Sequence, residues 1–195
     1  MFTSSLYANG SLGPEPIEED DHENPSTLYG ASKLFSELDL KISSKKYGFS
    51  YAIARLFFIY GPKQFAIGGY KSVIVKNFQR FLEGQPMQIN GSGNQILDYV
   101  YVEDCIKSLI GLSQSKFQGT VNVSSGVGVS VNELIIKMSE ICGNNRIEHV
   151  EADWTEGTKR IGNNSLLAEV SGYKPNTPLI EGLGKTWESI KNGKA

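Results

Sequence analysis

The sequence predicts an α/β fold built on a parallel sheet, and three observations predict it. Extended and helical patterns alternate along the chain, which favours a sheet covered by helices. Residues 51–60 (YAIARLFFIY) are apolar on both faces, as in a strand with helices above and below it. Leu28, Ala31, Phe35, Leu38 and Ile42 recur at intervals of three and four, drawing one apolar stripe along a helix. With 195 residues, 39% of them apolar, the chain is long enough for one domain, or one domain with a small lobe, around a sizeable core.

The elements follow in order. Residues 1–6 read as a short strand running into a turn. A loop rich in Pro, Glu and Asp spans 13–25, and its acidic run Glu18-Glu19-Asp20-Asp21 reads as solvated surface, since nothing fixes those carboxylates around a metal. The striped helix starts at a Ser26 or Thr27 cap, with Pro25 blocking backward extension, and Gly48 ends it. Gly61-Pro62 stops the strand at 51–60. A second helix spans 71–83, from Lys71, with Ile74, Val75, Phe78, Phe81 and Leu82 inward. Met87 and Ile89 alternate with polar residues up to Asn90-Gly91, which predicts a hairpin closing with 96–101. Asp104 caps a helix carrying Ile106, Leu109, Ile110 and Leu112, and 120–123 is a short strand. Ser130 and Glu133 form a capping box for a helix ending at Gly143. A short helix covers 166–171. The last one begins at Thr177-Pro178, with proline at the first helical position, and carries Leu179, Leu183, Trp187 and Ile190.

Composition narrows the function. Nineteen Lys and Arg against 21 Asp and Glu give a net charge of −2 with no basic stripe, which argues against nucleic acid as a partner. No apolar run is long enough for a membrane-spanning helix, and the N-terminus has no signal-peptide pattern. Two isolated cysteines, Cys105 and Cys142, point to neither a disulfide framework nor a zinc site and fit a reducing, cytoplasmic location.

Tyr29 and Lys33 form the sharpest chemical pair. Four apart on a helix, they stand one turn above each other beside the apolar stripe, so both can reach a groove. An ammonium near a phenol favours the phenolate, which a tyrosine needs to exchange a proton with a sugar or alcohol hydroxyl near neutral pH. A surface pair of the same spacing is the bland alternative. Thr3, Ser4 and Ser5 add three hydroxyls at a strand end, where open α/β sheets bind ligands. A hydroxyl there can share a hydrogen bond with the substrate group that Tyr29 deprotonates.

These segments resemble the extended short-chain dehydrogenases/reductases, the NAD-dependent sugar-nucleotide epimerases and dehydratases. Phe2-Thr3-Ser4-Ser5-Leu6-Tyr7 is similar to the family's serine/threonine strand end, and Pro25-Ser26-Thr27-Leu28-Tyr29-Gly30-Ala31-Ser32-Lys33 to its Tyr-x-x-x-Lys helix. Ala54-Arg55-Leu56-Phe57-Phe58-Ile59-Tyr60-Gly61-Pro62 is similar to its Arg-x-x-Asn-x-Tyr-Gly-Pro strand. Residues 91–104, with Gly91-Ser92-Gly93 and Leu97-Asp98-Tyr99, match a further family stretch, and Gly172-Tyr173-Lys174-Pro175 with Glu181-Gly182-Leu183 resembles its C-terminal signature. The resemblance implies the second half of a Rossmann-type sheet at 1–62 and 95–126, and a mixed substrate lobe at 63–94 and 127–195. It implies Tyr29 as acid/base, Lys33 as the residue holding the nicotinamide ribose, Thr3 as their hydroxyl partner, and Phe57 beside the cofactor. Ser4, Ser5 and Phe58 would face a sugar or nucleotide-sugar substrate. NAD, or NADP, would be the cofactor, and a homodimer through the Tyr29 helix is the implied assembly.

The departures matter as much. The family's Gly-rich phosphate turn does not occur in these residues; Gly10 and Gly13, Gly91 and Gly93, and Gly126 and Gly128 are lone pairs in predicted loops. The chain thus corresponds to the family's C-terminal part. The family's dehydratases carry Asp-Glu directly after the threonine, where this chain has Ser4 and Ser5, so epimerisation is favoured over dehydration. Leu97 stands where the family has a diphosphate-binding Arg, Phe58 replaces an Asn, and a second Arg expected near Thr155 is missing, with Lys159 and Arg160 close but out of register. A non-catalytic remnant, or a subunit whose partner completes the NAD site, remains open beside the enzyme.

Overall fold

The computed structural model describes residues 1–10, 16–64, 72–143, 146–153 and 155–193; Gly13 and Lys71 lie outside them. In chain order the elements are β1 (Phe2–Ser5), α1 (Leu28–Tyr47), β2 (Ala52–Leu56), β3 (Phe58–Tyr60), α2 (Val73–Leu82), β4 (Met87–Asn90), β5 (Ile96–Tyr101) and α3 (Val102–Gln114). They continue with β6 (Gly119–Val123), β7 (Gly128–Ser130), α4 (Val131–Cys142), β8 (Ile147–Val150), β9 (Lys159–Arg160), α5 (Ser165–Ser171) and α6 (Leu179–Lys191). The fold is α/β with parallel sheets, as the alternating pattern predicts. Two compact units divide the chain, one of residues 1–59, 98–128 and 159–176, the other of 60–97, 129–158 and 177–195. No helix among the described residues is long and apolar enough to cross a membrane.

The first unit is built on a three-stranded parallel sheet of order β1-β2-β6, in which Thr3 stands opposite Ala54 and Ser4 opposite Arg55. The apolar run at 51–60 is two strands rather than one. It breaks at Phe57, whose N–H donates to Val123 O at 3.1 Å. Ala54, Phe57, Val121 and Val123 pack with Leu6, Val100, Leu112 and Leu167 into one core. Residues 159–176, expected in the lobe, lie in this unit instead. They are tied in because Ile17 N–H donates to Ile161 O (2.7 Å), Asn163 N–H donates to Ile17 O (2.9 Å), and Leu167 fills the core.

The termini of α1 are those the sequence predicts: the Thr27 hydroxyl accepts from Gly30 N–H at 3.0 Å, and Gly48 ends the helix in the left-handed region at φ 75°. Its orientation is not. Leu28, Ala31, Phe35, Leu38 and Ile42 all face outward, Leu28 at 92% exposure and Phe35 at 72%, while Gly30, Glu37 and Ser44 are buried. Spacing identifies an apolar face but not the side to which it turns. Here a small residue and a paired carboxylate let the opposite face approach the sheet.

Two further local readings change. The acidic run is a strap rather than free surface: the Glu19 carboxylate accepts from Asn122 N–H (2.9 Å) and Glu18 from the Asn163 amide (2.9 Å). Tyr101, not Asp104, occupies the cap of α3. Asp104 is buried one turn in, accepting from Tyr173 Oη at 2.6 Å and Asn176 N–H at 3.2 Å, and Ile106 and Ile110 turn outward.

In the second unit the hairpin is absent, because β4 pairs in parallel with β8. The alternation of Met87 and Ile89 does bury both side chains, but Glu148 on β8 supplies the polar match, accepting from Arg80 (2.9 Å) and Gln88 (2.8 Å). Gly91 still turns the chain at φ 66°, donating to Val150 O at 3.0 Å. Helix α2 is capped by Ser72 and buries Ile74, Val75 and Phe78, while Leu82, expected inward, is exposed. The Ser130–Glu133 capping box opens α4 and Gly143 closes it. Pro178 occupies the cap of α6 rather than its first helical position, and Trp187 packs 5.3 Å from Phe78.

Candidate active site

The site grows from the contact between α1 and the end of β1. Gly30 makes it possible: a Cβ there would lie 2.2 Å from Tyr7 O, so only glycine lets the helix start rest against the turn that follows β1. One turn on, Lys33 Nζ donates to Thr3 O at 3.1 Å and lies 5.2 Å from the Phe2 ring and 5.7 Å from the Tyr29 ring. Both ring distances lie within cation–π reach. Tyr29 is 54% exposed, with its ring 5.9 Å from that of Tyr7 at 74°. Phe58 stands 6.4 Å from Tyr7 and 6.1 Å from Tyr99, extending the aromatic row. The buried Arg160 guanidinium lies 5.0 Å from the Tyr7 ring, and burial holds its pKa below the ordinary arginine value.

Behind this surface lies a buried ion cluster. The Glu37 carboxylate accepts from Ser4 Oγ (2.5 Å), Arg55 Nε (3.0 Å) and Arg55 Nη2 (2.7 Å), and the Glu37 and Arg55 side chains are both fully buried. Arg55 also donates to Glu19 O (3.2 Å) and to the Glu23 carboxylate (3.1 Å). Burial alone would lower the Arg55 pKa, but Glu37 and Glu23 outweigh it and hold the guanidinium above its usual value. Burial would likewise raise Glu23, yet the Arg55 hydrogen bond and charge keep that carboxylate below the usual range. Elsewhere in the unit, burial raises Asp98 despite donors from Ser125 N–H and Oγ, Gly126 N–H and Gly162 N–H.

Of the residues singled out from sequence, Thr3, Tyr29 and Lys33 share one exposed face of this unit. It is the carbonyl of Thr3, not its hydroxyl, that meets Lys33. Ser4 and Ser5 are buried; Ser4 gives its hydroxyl to Glu37, and Ser5 Oγ accepts from Tyr7 N–H at 3.4 Å. Phe57 is a core residue, whereas Phe58 belongs to the aromatic row. In the second unit, Leu97 is buried, and Thr155 donates its hydroxyl to Asp153 at 2.5 Å. Sequence reasoning assigned no role to Tyr7, Glu37 or Arg55. A signal existed for one of them: an arginine inside an unbroken apolar run requires a buried carboxylate partner somewhere in the chain.

The NAD dependent epimerase/dehydratase family model matches residues 1–124, well over half of the chain. The chain belongs to this family. A relative from Methanocaldococcus jannaschii, described as "Putative UDP-glucose 4-epimerase", is 34% identical over 178 residues, covering 91% of this chain and 57% of its own length. Among solved structures, the UDP-N-acetylglucosamine 4-epimerase of Methanobrevibacter ruminantium M1, in complex with UDP-N-acetylmuramic acid, superposes with a TM-score of 0.93 at 27% identity, over 98% of this chain and 62% of that one. The UDP-glucose 4-epimerase of Thermotoga maritima with UDP-glucose gives a TM-score of 0.92 at 27% identity, over 100% and 63%. MoeE5 in complex with UDP-glucose and NAD gives 0.85 at 26% identity, over 99% and 64%. This family chain therefore spans 57–64% of the length of these relatives.

Proposed function

We propose that this chain carries the acid/base half of an NAD-dependent nucleotide-sugar epimerase, acting at a ring hydroxyl of a uridine-diphosphate hexose. The supporting observation is that Tyr29 and Lys33 stand on one face of α1, with Lys33 Nζ anchored 3.1 Å from Thr3 O on β1. Tyr29 Oη takes the proton from the substrate hydroxyl and returns it after the ring has turned over. Lys33 would hold the nicotinamide ribose, and Thr3 lies exposed next to it on β1. A bound nicotinamide would supply reversible hydride transfer at the carbinol carbon. The residues present fit the ribose end of the cofactor. These 195 residues contain no Gly-rich turn for its pyrophosphate, so they would supply the ribose end alone. Ser4 and Ser5 provide no carboxylate pair for elimination of water, which favours epimerisation over dehydration. MoeE5, binding both UDP-glucose and NAD, supports the choice of ligands.

The outward stripe Leu28, Phe35, Leu38 and Ile42 supports a homodimer through α1, since a second copy of the same face would cover it. The assay is direct. NAD should raise the melting temperature of the protein, and UDP-glucose should give its 4-epimer, detected by NMR. Failure of both, once the segment or partner carrying the pyrophosphate turn is supplied, would overturn this reading.

A further inference from the structure

Helix α1 presents a carboxylate, not an apolar side chain, at the place where it is held to the sheet. Glu37 lies one turn beyond Lys33 and joins two strands at once: Ser4 on β1 donates to it, and Arg55 on β2 donates through Nε and Nη2. Ser4 follows Thr3, whose carbonyl receives Lys33. Adjacent residues of β1 thus hold adjacent turns of α1. The polar bond fixes both the rotation of the helix and its height along the strand. Apolar contacts of the α1 stripe cannot do so, because that stripe faces outward. Hydrogen bonds to a buried charge are directional and costly to leave unmade, so they tolerate little sliding. The strap joins the same hub, since Arg55 also holds Glu19 O and Glu23 just before the helix begins.

We propose that Glu37, clamped between Ser4 and Arg55, is the positioning residue that holds Lys33 at Thr3 and Tyr29 in register with it. This rests on the acid/base reading of Tyr29 and Lys33 but is measured separately from turnover. Glu37→Ala would strand a buried guanidinium and risk unfolding, so gentler variants carry the test. Ser4→Ala removes one hydrogen bond and keeps the ion pair. Glu37→Gln keeps the shape of the side chain and removes its charge. The control is Glu23→Gln, which takes the other carboxylate from Arg55 without touching the α1–β1 link.

The readout is the 15Nζ signal of Lys33, assigned by its disappearance in Lys33→Arg, together with the rate at which its ammonium protons exchange with water. In Ser4→Ala and Glu37→Gln that exchange should accelerate by about fivefold, the effect of losing one net hydrogen bond. Glu23→Gln should leave it unchanged, with a smaller loss of melting temperature because Glu23 is partly exposed. In the NAD-loaded enzyme the same two variants should lower kcat about tenfold with little change in KM, as misplacement of a positioned group does. Unchanged Lys33 exchange in both variants, or an equal acceleration in Glu23→Gln, overturns the positioning role. Full turnover in Tyr29→Phe would instead overturn the acid/base reading, whatever Lys33 does.

Discussion

Helices α1 and α4 are amphipathic in opposite senses. In α4, Val131, Leu134, Ile135 and Met138 are buried in the second unit, and the capping box sits on the exposed side. In α1 the apolar side chains face outward, and the buried positions are Gly30, Glu37 and Ser44, seven apart. A helix that only fills a core can use interchangeable apolar contacts. A helix that must carry Tyr29 and Lys33 at fixed points against β1 is held by a glycine contact and a charged clamp, both of which resist sliding. Specific position comes from polar geometry, and bulk stability from the other kind of face.

The contrast can be broken most severely at the site itself. Tyr29→Phe should lower turnover by roughly 10²–10⁴-fold, the scale of a lost general acid/base. Its melting temperature and its NAD-induced stabilisation should stay near those of the parent, because the ring is largely exposed and only the hydroxyl is lost. Retained turnover would reduce α1 to an architectural element.

Truncations on the two faces should separate next. Leu134→Ala in α4 should cost about 2–5 kcal/mol in denaturant unfolding. Phe35→Asp in α1 should cost the monomer almost nothing and shift the proposed homodimer to monomer in sedimentation velocity. An equal loss of monomer stability in both would mean that the α1 stripe is part of a core after all.

Gly30→Ala sharpens the comparison on the inner face. The added Cβ would meet a backbone oxygen that cannot swing away, so about 1–3 kcal/mol of destabilisation is expected. In α4, Glu140→Ala should stay within roughly 0.5 kcal/mol, as a change on an exposed side does.

The smallest effect is pH-dependent. Glu23 has its folded pKa below the ordinary carboxylate value, so its contribution is present above that value and is lost as pH falls through the folded pKa. Asp98 is raised by burial, so its contribution is complete at low pH and declines as pH rises through the folded pKa. Glu23→Gln should therefore be less stable than the parent at pH 7 and converge with it as pH falls through the lowered folded pKa of Glu23, followed by thermal unfolding from neutral to acid pH. A constant difference at every pH would remove Glu23 from the Arg55 hub.

Much of this molecule could be read without coordinates, and the reason differs from element to element. The caps Thr27 and Ser130 and the terminators Gly48 and Gly143 are local features whose hydrogen bonds close within a few residues. The run at 51–60 could be recognised as extended because both its faces are apolar. The pair Tyr29 and Lys33 stood out because four-residue spacing on a helix needs no tertiary information. Asn90-Gly91 did mark a turn, but its neighbour strand came from β8, more than fifty residues away, where Glu148 answers Arg80 and Gln88.

What the chain determined by itself was the class of fold, the ends of α1 and α4 and the chemical pair on α1, since each depends on periodicity or on bonds between near neighbours. Only the tertiary structure decided that α1 turns its apolar face outward, that Ser4 serves Glu37, and that the acidic strap is tied to Arg55. Those outcomes depend on which distant groups can satisfy one buried guanidinium, and the spacing of residues along a chain holds no record of that.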